Sequence, residues 1–252
     1  TSPDKTKIIY AVASSSAISK ENGLFLTEIT ELPFLMSRSS ERQLFPNTAS
    51  LDWSKYTFEF SPNSKQVLAL SKNNSSAYLF SLESNQNVNS LFNISSQLTQ
   101  IKKQWQEDKE NNFQEMLAKV PDGIRSFVAT DSSALSFNTQ ESKFIYKASQ
   151  NGEVPNLLPS PPPTQSIQTQ QRNLIKNFYY VYDIKEDTNF LIGPASLEQV
   201  SWIPYSDNIL YLDNNQIRVC DYDATNYQTI YVDSLIPKAI LPTPDGYRLI
   251  IS

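Results

Sequence analysis

Phe58-Glu59-Phe60-Ser61-Pro62-Asn63-Ser64-Lys65-Gln66-Val67-Leu68 reads as two short apolar runs joined by a Ser-Pro-Asn-Ser turn. Proline presets φ at the turn entry, and Asn, Asp or Gly tolerates the positive φ that follows. The flanking Phe, Val and Leu suit half-buried strands, so the stretch predicts a tight β-hairpin. The same phrase stands at the start as Ser2-Pro3-Asp4-Lys5-Thr6-Lys7 before Ile8-Ile9-Tyr10. A degraded copy is Leu135-Ser136-Phe137-Asn138-Thr139-Gln140-Glu141-Ser142-Lys143-Phe144-Ile145-Tyr146. Val200-Ser201-Trp202-Ile203-Pro204-Tyr205-Ser206-Asp207-Asn208-Ile209-Leu210-Tyr211 is the fourth, and Ile240-Leu241-Pro242-Thr243-Pro244-Asp245-Gly246-Tyr247-Arg248-Leu249-Ile250 the fifth.

Further strand-like runs follow each hairpin except the last: 23–29 with 34–36, 77–82 with 88–92, 178–184 with 189–192, and 216–221 with 227–232. Four strands per repeat is the blade of a β-propeller, and the 40 residues between Pro204 and Pro244 match the length of such a blade. The expected fold is therefore all-β: one propeller domain over residues 1–252, with five four-stranded antiparallel blades. The repeats fall near 1–50, 51–95, 124–198, 199–236 and 237–252. The first and last are incomplete, and with Thr1 in place of Met they suggest a parent chain that continues at both ends. Three insertions lengthen the other intervals. Residues 31–50 read as a polar loop. Residues 96–121 read as a helix, with a Ser95-Ser96 cap and a Pro121-Asp122-Gly123 stop. Residues 150–176 carry Pro155, Pro159, Pro161, Pro162 and Pro163 amid Gln, Ser and Thr, which predicts an extended, poorly packed loop.

The chain has no histidine, which removes the Ser-His-Asp triad, the histidine general base and histidine-rich zinc sites. Its single cysteine cannot form an internal disulfide. A net charge of −5 with scattered Lys and Arg argues against a nucleic-acid footprint. No run reaches the length of a membrane span. Four of the five glycines, Gly23, Gly123, Gly152 and Gly246, follow Asn or Asp, which assigns them to turns.

The Ser-Pro-Asp/Asn hairpins resemble TolB-type and WD-like propeller repeats. More closely, an ordered set of segments is similar to the C-terminal propeller region of bacterial PEGA-domain proteins. It comprises Ser2-Pro3-Asp4 through Ala11-Val12-Ala13-Ser14-Ser15-Ser16, Leu51-Asp52-Trp53-Ser54 before Phe60-Ser61-Pro62, Gln100-Ile101-Lys102-Lys103-Gln104-Trp105-Gln106-Glu107, and Tyr182-Asp183-Ile184-Lys185-Glu186-Asp187. The resemblance implies an extracytoplasmic, envelope-associated protein, anchored through a membrane segment that this chain lacks. It supplies no catalytic residues.

Two acidic clusters, Asp183-Glu186-Asp187 and Asp221-Asp223, offer paired carboxylates for acid–base work or calcium. Both lie between strands, where such residues cap turns, and neither has the spacing of a calcium loop. Ser61/Ser64 with Lys65 and Ser142 with Lys143 are serine–lysine neighbours, but adjacent side chains on a strand point to opposite faces. Cys220 reads as a packed thiol. Trp202 precedes a hairpin turn and is expected between blades, with Trp53 just ahead of a repeat. The apolar stripe of the inserted helix packs on a neighbouring blade or forms an interaction surface that oligomerises the chain. Trp105, Phe113 and Leu117 are the candidate residues for that surface. The expectation is a non-enzymatic binding or scaffold propeller without cofactor or metal, meeting a protein or glycan partner, with no nucleic-acid partner. The alternative is an envelope hydrolase or lyase using carboxylates and tyrosines at the channel mouth.

Overall fold

The computed structural model describes residues 1–13, 22–32, 36–73, 75–83, 91–130, 135–164, 166–232 and 240–251, with the side chains of 30–38 left out. The chain divides into two compact units, Thr1–Lys109 with Thr243–Asp245, and Glu110–Pro242 with Gly246–Ser252.

The first unit holds two antiparallel meanders. One runs β1 (Lys7–Val12), β2 (Gly23–Leu32) and β3 (Met36–Pro46); the other runs β4 (Tyr56–Phe60), β5 (Gln66–Ser71) and β6 (Ala77–Ser81). The expected polar loop at 31–50 is largely β3, paired with β2 from Leu24↔Phe45 to Leu32↔Met36. Ser, Arg and Glu suit a strand at a sheet edge, where charge discourages further pairing; Arg42 there meets Glu28 at 3.6 Å. Part of the expected strand 88–92 lies outside the described residues, and the partner of β6 is instead a single bridge, Tyr78↔Asn93. Trp53 sits in a 3-10 turn capped by Asp52, whose carboxylate accepts from the Ser54 amide. It is the centre of the unit's core, stacked on Phe45 with ring centroids 5.5 Å apart and ringed by Tyr56, Tyr78 and Phe80.

The second unit carries two four-stranded meanders and a hairpin. The first meander comprises β7 (Leu135–Phe137), β8 (Lys143–Lys147), β11 (Tyr179–Asp183) and β12 (Thr188–Gly193). The second comprises β13 (Glu198–Trp202), β14 (Asn208–Asp213), β15 (Gln216–Asp221) and β16 (Gln228–Val232). The hairpin is β17 (Ile240–Pro242) with β18 (Leu249–Ile251). Between β8 and β11, the pairs Tyr146↔Tyr180 and Phe144↔Tyr182 face each other across the strands and form a buried aromatic ladder. Trp202 is buried, and its indole donates to the Ser136 carbonyl at 3.0 Å. It therefore joins the two four-stranded sheets, as its place before the turn suggested.

Four of the repeated hairpins share one six-residue turn. The first residue's amide donates to the sixth residue's carbonyl and the fourth residue's amide to the first residue's carbonyl, in Ser2–Lys7, Ser61–Gln66, Asn138–Lys143 and Ile203–Asn208. The Asp and Asn of the turn do not take the positive φ. Asp4 and Asn63 accept from the amides of Thr6 and Lys65, two residues on, and the left-handed residues are Lys5, Ser64 and Glu141 at φ 59°, 59° and 51°, with Tyr205 at 56° one position earlier in the fourth turn. A short carboxylate or carboxamide does more here as an Asx cap than as a φ-tolerant residue.

Helix α1 (Leu98–Ala118) spans the division between the units. Ser95 and Ser96 do not cap it; they form a 3-10 turn in which Asn93 accepts from the Ser95 amide and hydroxyl. The stop at Pro121 holds, but Asp122 and Gly123 enter a second short helix, α2 (Asp122–Arg125). Gly123 is thus helical, Gly23 is in β2 and Gly152 in β9 (Gly152–Glu153). These glycines serve close approach: a Cβ on Gly23 would stand 2.3 Å from the Phe45 carbonyl, and one on Gly152 2.4 Å from the Phe127 ring. Of the described glycines only Gly246 has positive φ.

Candidate functional site

The Pro-rich segment is fastened to the second unit. β9 pairs with β10 (Asn173–Leu174), and Val154 and Leu174 are buried in the core of the aromatic ladder. Above that base a single carboxylate, Asp187 at 1% exposure, accepts four donors. The amides of Leu157 and Leu158 lie at 2.7 and 2.8 Å, the Tyr182 phenol at 2.6 Å and the Arg172 guanidinium at 3.1 Å. Arg172 also donates to the carbonyls of Pro155 and Asp187. Burial alone would raise the Asp187 pKa, but these donors outweigh it and hold the carboxyl below the usual range. The expectation of a poorly packed loop holds for 158–164, which are exposed, and fails at the anchored positions, whose partners come from β11 and the turn that follows it.

Further along, the Thr164 hydroxyl donates to Glu186 at 2.6 Å and the Ser166 hydroxyl to Asp223 at 2.5 Å. Here the segment forms one wall of a groove of about 700 Å³. Ser166, Ile167 and Gln168 face Asp207, Asn208, Asp221, Tyr222, Asp223, Thr225 and Asn226 across it. Ile167 is 97% exposed. Asp221 accepts from Asn208 and Asn226, each at 2.6 Å. Asp223 takes the Thr225 amide and hydroxyl, and Asp207 takes Asn138 at 2.9 Å and Lys143 at 3.0 Å. Lys143 also meets Asp183 at 3.1 Å and lies over the Tyr222 ring, 4.7 Å from its centroid. Burial lowers the lysine's pKa, but Asp207 and Asp183 outweigh it and raise the value. The Tyr222 phenol is pushed up to about 12, by burial first and the Glu186 charge second.

Both acidic clusters therefore cap turns, as expected. Asp183 accepts from the Lys185 and Glu186 amides, and Asp223 from the Thr225 amide. Their second role, holding the Pro-rich segment, escapes a reading by local spacing because Leu157 and Asp187 are 30 residues apart. Among the described residues no group of three acidic or thiol ligands is placed to hold a metal. The serine–lysine neighbours are each drawn elsewhere: Lys65 to Glu83, Ser61 to Asn63, Lys143 to its two aspartates and Ser142 to Asn138. Cys220 is fully buried, and burial, then Asp221, push its thiol up to about 12. Trp105 at 5% and Phe113 at 1% exposure are inside the fold, and Leu117 packs partly buried on the core that contains Phe113. The stripe is a packing face, so the expected interaction surface is not presented there. The sequence signal that could have found the groove is the recurrence of the turn itself. Asn138 and Asp207, which bond at 2.9 Å, stand in the turns of consecutive repeats.

No protein-family model and no curated protein matches the chain. Among solved structures it is similar to a eukaryotic initiation factor at 13% identity and TM-score 0.31, covering 91% of this chain and 45% of that one. It is also similar to TolB from Acinetobacter baumannii at 12% identity and TM-score 0.26, covering 96% and 45%. An acylaminoacyl peptidase from Pyrococcus horikoshii follows at 8% identity and TM-score 0.23, covering 90% and 31%. The chain thus spans less than half the length of each.

Proposed function

We propose that the chain is a non-catalytic binding propeller whose four meanders and C-terminal hairpin are successive blades and whose ligand face is the groove beside Tyr222. The blade reading is supported by turn-to-turn contact between consecutive repeats. The Asp4 amide donates to Ser64 at 3.1 Å, the Tyr205 amide to Thr139 at 3.0 Å, and Asn138 to Asp207. Turns that follow one another at one end of stacked meanders are what a blade-by-blade winding requires. The glycan reading rests on the sequence resemblance to PEGA-protein propellers, which implies the bacterial envelope, where glycan is an abundant ligand.

The observation that carries the binding reading is the fixed state of the groove's carboxylates. Asp221 and Asp223 accept from neighbouring Asn, Thr and Ser side chains at 2.5–2.6 Å, and the phenol beside them has too high a pKa for a base near neutrality. Carboxylates oriented this way can accept hydroxyl and amide hydrogens of a ligand through their remaining lone pairs. The test is co-sedimentation with purified peptidoglycan. Retention is expected, with about tenfold weaker binding for Tyr222→Ala, the loss of one good contact. If the intact chain releases soluble fragments from the peptidoglycan, the hydrolase or lyase alternative replaces this one. If it neither binds nor cleaves, the glycan reading is withdrawn.

A further inference from the structure

From Val154 to Gln171 no residue is charged, and four of the five residues 159–163 are proline. Proline fixes φ near −65° and removes the backbone donor, and Leu158 and Ser160, each preceding a proline, are pushed out of the helical region. The chain bends at Pro159 and Ser160 and then continues without regular structure through Pro161, Pro162, Pro163 and Thr164. Residues 158–164 are exposed throughout, and among the described residues 159–163 take part in no hydrogen bond. Both ends are staked. The Leu157 and Leu158 amides are held by Asp187, and the Thr164 and Ser166 hydroxyls by Glu186 and Asp223.

We propose that residues 158–164 are a preorganised polyproline II ligand for a partner protein whose groove is lined by aromatic rings carrying N–H or O–H donors. Such grooves read proline rings and the unpaired carbonyls between them, and three residues make one turn of this helix, the length of Pro161–Pro163. The missing charge selects among such partners. A groove that needs a flanking cation finds none between Val154 and Gln171, and Arg172, the next residue, is committed to Asp187 and Pro155. Staking both ends removes part of the ordering cost that a free proline-rich peptide meets on binding.

The test titrates a nitrogen-15-labelled WW domain, an aromatic polyproline reader, with the intact chain and follows the domain's amide shifts. Saturable binding is expected, about tenfold weaker for the Pro161→Ala/Pro162→Ala double variant. The intact chain should bind about threefold or more tighter than a free peptide of residues 155–168, because only the chain holds the segment in place. Asp187→Asn, which releases one end, should weaken the chain towards the peptide's affinity. Near-UV circular dichroism reports whether that variant keeps its fold; if it does not, Thr164→Val with Ser166→Ala releases the other end for the same comparison. Absence of binding overturns the proposal. So does binding unchanged by loss of the two prolines, or equal affinity for chain and peptide.

Discussion

Gly246 is the residue at which the repeated hairpin tolerates least. Its φ is +74°, and an added Cβ would lie 2.5 Å from the Pro204 carbonyl and 3.4 Å from Ile203. In three of the other copies the same left-handed position is filled by Lys5, Ser64 and Glu141, at a cost of about 1–2 kcal/mol each. At Gly246 the close backbone adds to that cost, so the side chain itself has no room. Gly246→Ala is expected to lower the unfolding free energy by about 1–3 kcal/mol. Urea unfolding would check this, and a loss under about 0.5 kcal/mol would show that the turn shifts away from Pro204 without strain. Local reading identified this glycine through its Asp-Gly pair. It misassigned Gly152 and Gly23, because a ring or a carbonyl brought in from a distant strand leaves no mark beside the glycine.

Among the elements, α1 separates the two readings of its apolar stripe. Phe113 is buried with Val120, Ile124 and the aromatic ladder of the second unit. Phe113→Ala should therefore destabilise the protein by about 3–5 kcal/mol, the usual cost of emptying a buried phenylalanine site. Its mass by light scattering should stay that of the parent. A fall in mass with stability retained would instead restore an oligomerising role to the stripe. The strands were legible because each is a short apolar run stopped by a turn: β14, with Ile209 to Leu212 all buried, and β15, with Ile217 and Cys220 inside, are found where the sequence puts them. The edge strand β3 was not, since its Ser, Arg and Glu carry no apolar period and its strand character comes from pairing with β2. The attachment of the Pro-rich segment was not legible for a related reason. Its composition describes residues 158–164 well, but its attachment depends on Asp187, Glu186 and Asp223, which no local window contains.

For the molecule as a whole, the missing histidine becomes a statement about pH. No side-chain type present has an ordinary pKa between about 4.3 and 8.5. The resolved carboxylate shifts are all downward. Ser54 lowers Asp52 against its burial; burial would raise Asp4, but Ser2, Thr6 and Lys7 bring it to about 2; and Asp187 is held down by its four donors. A carboxyl whose folded pKa lies below its unfolded value binds fewer protons when folded, so stability rises with pH across that interval and is lost as pH falls through the folded value. The Thr1 amine, lowered from 8.0 by burial, adds stability as pH rises from its folded pKa towards 8. The unfolding free energy is thus expected to change by less than about 1 kcal/mol between pH 5 and 6.5, then to decline from about pH 4 towards pH 2. Urea titrations at half-unit pH steps would measure it. A decline already between pH 6.5 and 5 would require a carboxyl whose folded pKa is lowered from a raised unfolded value, or another group titrating there. A rise on acidification through the same range would reveal a carboxyl raised in the folded state, as a coupled acid–base pair demands. That second outcome would turn the balance from recognition towards catalysis, whereas a flat curve leaves the carboxylates in the roles their partners give them: capping turns, holding the proline segment and lining the groove.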